Sequence, residues 1–105
     1  MPKINICAGQ CGETVDASAE CEDGRYVKFS IGKCCEHVEK LKPFLESEPI
    51  DAFTELRNFE SSLIYEKAGK CLPHVTCPVP SGFLKLIELA SGMAVASDVS
   101  IKIES

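Results

Sequence analysis

The chain has no tryptophan, and its remaining aromatic residues make up only 7% of 105 positions. A core without the largest ring must be closed by aliphatic side chains, and a hydrophobic content of 45% supplies enough of them for one small domain. No apolar run reaches the length of about 18 residues that a bilayer-spanning helix needs. No basic stretch leads into an apolar segment with a small-residue cleavage site, so a cytoplasmic protein is expected. Clustered lysine and arginine are also missing. With a net charge of −5, the chain lacks the basic surface that a sequence-independent grip on nucleic acid requires. There is no glycine-rich phosphate loop, H-E-x-x-H motif or nucleophile elbow, and the acidic residues fall on solvated faces. These absences point to a binding protein rather than an enzyme by itself.

Cysteine, by contrast, is abundant: seven residues, an odd number that cannot pair off completely. A reducing compartment disfavours structural disulfides and shifts the reading toward metal ligation or redox use. There is no C-x-x-C pair, so any shared site must be assembled by the fold.

Periodicity predicts the elements. Ile4 and Ile6 alternate with polar neighbours over Lys3 to Ala8, giving a short strand or extended arm. Val15, Ala17 and Ala19 share one face of Thr14 to Glu20, and Val27, Phe29 and Ile31 share one face of Arg25 to Ile31. Asp23-Gly24 between them reads as a hairpin turn, because glycine takes positive φ without steric cost. From Glu36 the period becomes helical, with Val38, Leu41 and Leu45 on one stripe and Pro43 expected to kink or end the helix. Ser47-Glu48-Pro49 reads as the start of a second short helix carrying Ile50, Phe53 and Leu56. Ser61 or Ser62 opens a third with Ile64 and Ala68, followed by a loop over Leu72 to Pro80. Ser81 to Ser91 forms a further helix, ended by Gly92. Val99, Ile101 and Ile103 alternate with Ser100, Lys102 and Glu104 as a half-buried strand expected to join the hairpin. The fold class is therefore α+β: a small antiparallel or mixed sheet, made of the N-terminal hairpin and the C-terminal strand, with helices on one face, in a single domain spanning 1–105.

The candidate site residues lie at element boundaries. Cys11 precedes the hairpin, the vicinal pair Cys34-Cys35 separates strand from helix, and Cys77 stands just ahead of the last helix. The hairpin runs out and back, which brings Cys11 toward Cys34 and Cys35. His74 and Cys77 share a loop stiffened by Pro78 and Pro80. Thiolates with an imidazole match Zn²⁺ or an iron–sulfur cluster better than Mg²⁺ or Ca²⁺. Against this stands the behaviour of free cysteine as a small buried hydrophobe, which Cys7, Cys21 and Cys71 are expected to follow. His74 is a weaker candidate, because a lone histidine in a proline-bounded loop is more often a surface or hydrogen-bonded residue than a ligand. A second reading is a thiol-dependent enzyme or redox protein in which Cys77 is the nucleophile and His74 its base. A third is an interaction module without a metal.

Cys11-Gly12-Glu13, Cys34 or Cys35, and Cys77 fall in an order that resembles the U-type iron–sulfur cluster assembly scaffold proteins, including the N-terminal domain of the nitrogen-fixation scaffold. The likeness runs from about Cys11 to Ala90. It implies an iron–sulfur cluster, or Zn²⁺ in its place, held by those cysteines, an exchange role for Glu13, and a cluster donor or acceptor protein as partner. The chain departs from that pattern where Thr76, not a histidine, adjoins Cys77. The CPVPSGFLKLIELASG run is also similar to small uncharacterised proteins of anaerobic prokaryotes.

Overall fold

Asp23-Gly24 closes a hairpin as its turn chemistry requires: in a computed structural model that describes residues 1–9 and 11–105, Gly24 takes φ 77°. The Asp23 carboxylate accepts the backbone N–H groups of Arg25 and Tyr26, each at 2.9 Å. Those bonds hold its pKa below the usual carboxylate value. The strands on either side are β2 (Thr14–Glu20) and β3 (Tyr26–Ile31), preceded by β1 (Lys3–Cys7). A two-residue strand, β4 (Ile50–Asp51), completes an antiparallel sheet in the order β1-β2-β3-β4. Ile6, Val15, Ala17, Ala19, Val27, Phe29, Ile31 and Ile50 are buried on one face, while Asp16, Glu20, Lys28 and Ser30 on the other are exposed. The period-2 pattern thus buries one side only.

Helices cover that buried side. They are α1 (Glu36–Glu39), α2 (Lys42–Ser47), α3 (Ala52–Glu55), α4 (Leu63–Cys71) and α5 (Val79–Ala90). The expected α+β class holds, with several changes of detail. The first predicted helix is broken at Lys40-Leu41, and Pro43 sits in the opening turn of α2. Proline there lacks the N–H that a continuous helix would aim at Glu39 and crowds that carbonyl, so the break falls just before it. Ser47 does not cap a second helix; it ends α2, and Ile50 is drawn into β4 opposite Val27. The cap of α3 is Asp51, whose side chain accepts the Phe53 N–H at 3.0 Å. Ser62 caps α4 by accepting from Tyr65 N–H at 3.2 Å. Gly92, at φ 81°, ends α5, and Met93 N–H returns to the Glu88 carbonyl at 2.9 Å.

The predicted C-terminal strand is corrected: residues 94–105 form no helix or strand, and Val99, Ile101 and Ile103 stand exposed. Their alternation is real, but among the described residues no strand of the sheet pairs with them.

The α5 helix is laid along the sheet in a fixed direction. At its start, a Cβ on Gly82 would come within 2.8 Å of Ile6 Cγ1, so glycine permits the close approach to β1. At its end, the Ser91 carbonyl lies beside Gly24 of the hairpin turn. Phe83 packs edge-on against Phe29, ring centroids 5.7 Å apart, midway along. The N-terminus of α5 therefore lies at the open end of the β2-β3 hairpin, away from its turn.

Candidate metal centre

Strand register decides which cysteines share an end of the molecule. Cys7 pairs with Thr14, so the connection from β1 to β2, which carries Cys11, is at the open end of the hairpin. Asp16 N–H donates to the Lys33 carbonyl at 2.8 Å, which fixes the chain entering Cys34 at the same end. The direction of α5 brings the segment ahead of Val79, with Cys77, there as well. Three candidate segments distant in sequence thus reach one end of the sheet.

Their side chains are held differently. Cys11 is exposed in a turn bracketed by Gly9 and Gly12, at φ 89° and 74°, with Gly12 N–H donating to the Gly9 carbonyl at 2.9 Å. Glu13 is exposed, and its backbone carbonyl accepts from Ala8 N–H at 3.0 Å. Cys34, Cys35 and Cys77 are half-buried and pack against the rim of the core. The Cys34 thiol donates to Glu39 Oε1 at 3.7 Å. Burial first, and the neighbouring Glu39 carboxylate second, raise its pKa and favour the protonated thiol. Cys35 occupies the N-cap position of α1, its carbonyl accepting from Glu39 N–H at 3.0 Å. His74 is exposed, and its link to Cys77 is through the backbone, Cys77 N–H to the His74 carbonyl at 3.1 Å. Among the described residues the two side chains share no hydrogen bond.

All seven cysteines are free thiols. Cys21 and Cys71 pack against the core as expected of small hydrophobes. Cys7 does not: it is exposed on the outward face at the end of β1, its thiol donating to Asn5 Oδ1 at 3.7 Å. Its odd place in the strand alternation, opposite in phase to Ile4 and Ile6, is the signal that identifies it as outward. It adds a fourth thiol-bearing segment to the open end.

Free thiols are donors that suit a soft ion. Among the described residues, no three histidine, cysteine, aspartate or glutamate side chains converge closely enough to hold a metal ion. The fold gathers the segments, while Cys34 is turned to Glu39 and Cys11 remains in solvent. Also among the described residues, no helix is long and apolar enough to cross a membrane.

Among known proteins, residues 2–103 match the model of a family of unknown function (DUF6951). No curated protein and no solved structure matches the chain.

Proposed function

The chain belongs to that family of unknown function, DUF6951, and from this starting point we propose that it binds a soft metal, Zn²⁺ or an iron–sulfur cluster, through thiols at the open end of its sheet. The observation that carries the reading is the meeting of the Cys11 turn, the Cys34-Cys35 segment and the Cys77 segment at that end, with every thiol free. Cys11, one or both of Cys34 and Cys35, and Cys77 are the proposed ligands, with His74 as a further donor. Release of the Cys34 thiol proton, now directed at Glu39, accompanies binding, because metal ligation requires the thiolate. The resemblance of Cys11-Gly12-Glu13 and its partners to U-type scaffolds supports a scaffold or carrier role, with a donor or acceptor protein and Glu13 keeping the cargo replaceable.

The experiment is anaerobic reconstitution, followed by transfer to an apo-ferredoxin monitored by absorbance. Wild type is expected to load and to transfer, and Glu13→Ala to transfer more slowly, as a carboxylate beside soft ligands is a weak, exchangeable neighbour. Equal rates remove Glu13 from the site. Loading without transfer from either form leaves a fixed metal and contradicts the carrier role. A single hyper-reactive thiol in a chain that loads nothing favours thiol chemistry at Cys77 instead.

A further inference from the structure

The segment after α5 has the pattern of a strand and none of its bonds. Val99, Ile101 and Ile103 alternate with Ser100, Lys102 and Glu104, and the two isoleucines are 79% and 90% exposed. The family match runs to residue 103, so it takes in this arm up to Ile103. The sheet, meanwhile, has an unused edge. β1 pairs with β2 on one side, and among the described residues no strand pairs with its other side, leaving backbone donors and acceptors in a row. Two incomplete elements of one chain thus carry complementary needs.

Side-chain pattern selects how they fit. If the arm runs antiparallel to β1 with Ile103 opposite Ile4 and Ile101 opposite Ile6, the apolar residues continue the inward face of the sheet. That register sets Ser100 opposite Cys7, Lys102 opposite Asn5 and Glu104 opposite Lys3, an opposite-charge pair on the outward face. In a parallel arrangement with the same faces matched, Lys3 meets Ser100 and Glu104 meets Cys7, and the charge pairing is lost.

The antiparallel arrangement also identifies whose arm it is. The start of β1 lies toward the hairpin turn, since Ala19 N–H donates to the Pro2 carbonyl at 3.0 Å, and the end of α5 lies at that same turn. To pair antiparallel with its own β1, the arm must first cross from the helix layer to the sheet, about 10 Å, and travel the length of β1, about 17 Å. Taken diagonally the two legs come to about 20 Å, and the connection 93–98 reaches at most about 20–22 Å when fully extended, which leaves almost no slack. A second copy imposes no such demand. We propose that two copies of this chain exchange their 99–104 arms, each adding an antiparallel strand to the β1 edge of the other in a two-fold symmetric dimer.

The test is the mass of the full chain in solution under reducing conditions, by sedimentation or light scattering, together with charge reversal at the predicted pair. Wild type is expected at twice 11.4 kDa. Lys3→Glu and Glu104→Lys alone should each weaken the dimer roughly tenfold, because each dimer contains the pair twice. Combining the two should restore it. Truncation after Ser97 should give a monomer that keeps its helical far-ultraviolet dichroism. If truncation prevents folding, the two surface charge reversals still decide. A wild-type monomer overturns the proposal, including one whose amides at 99–103 are protected from exchange, which signals docking within one chain. A dimer that loses affinity on neither single reversal, or is not rescued by the double, also overturns it.

Discussion

Glu55 is the residue whose environment is most demanding. At 3% exposure it accepts from Ser62 Oγ at 2.8 Å, Leu63 N–H at 2.9 Å and Ile64 N–H at 3.0 Å, so the end of α3 supplies an acceptor for the open N-terminus of α4. Glu55→Ala leaves those donors, two of them buried, unpaired and should destabilise the fold by about 3 kcal/mol in denaturant unfolding, whereas Glu55→Gln, which keeps an acceptor, should cost less. A loss below about 0.5 kcal/mol would show that the cap is dispensable. The second such residue is Asp51, bonded by both oxygens to Arg25 at 3.1 and 3.0 Å. The Arg25 hydrogen bonds outweigh a partial desolvation and lower the Asp51 pKa from 3.8 to about 2. A depressed carboxylate stabilises the fold fully above its unfolded value and loses that contribution as pH falls through its folded one. Stability should therefore decline between pH 3.8 and about 2, and Arg25→Ala should flatten that part of the pH profile. An unchanged slope in the variant contradicts the assignment. Arg25 also lies over the Phe53 and Tyr26 rings, 4.8 and 5.3 Å from their centroids, so the variant will lose packing as well as charge.

At the scale of elements, the α5 to β1 contact positions the Cys77 segment. Gly82→Ala would press a methyl group into Ile6 and should cost about 1–3 kcal/mol, as overpacking does, while lifting the start of α5 from the sheet. Thermal unfolding compared with Gly69→Ala, where a Cβ meets nothing within 4 Å, provides the control. Equal effects at the two glycines would deny the close approach. The elements that sequence made legible are those with a local signal: Asp-Gly between alternating strands, and the aliphatic stripe of α5 followed by Gly92. β4 was not legible, because two residues cannot show a period, and its pairing with Tyr26 and Val27 depends on contacts from a distant strand. The Glu55 cap is likewise nonlocal, seven positions before Ser62. The 99–104 segment shows the converse. Its alternation predicts a strand, but pattern alone does not name a partner, and among the described residues the sheet supplies none. For the site, the hairpin argument carried Cys11 toward Cys34 and Cys35, while the orientation of their thiols depends on packing and on Glu39, which spacing does not encode.

For the whole molecule, one helical layer on one sheet face leaves an end where the connections meet, and that end is where cysteine is concentrated. The proposed function rests on whether the thiols act together. The direct measurement is the zinc, iron and sulfide content of the anaerobically purified and reconstituted protein, compared among wild type, Cys11→Ser, Cys77→Ser and Cys21→Ser. Cys21 is the control, because it lies beside the hairpin turn, its thiol donating to Asp23 Oδ1 at 3.7 Å. Wild type and Cys21→Ser should retain metal, and Cys11→Ser and Cys77→Ser should lose most of it while remaining folded. Metal-free wild type after reconstitution, or equal losses in all three variants, would contradict a shared thiol site at the open end of the sheet.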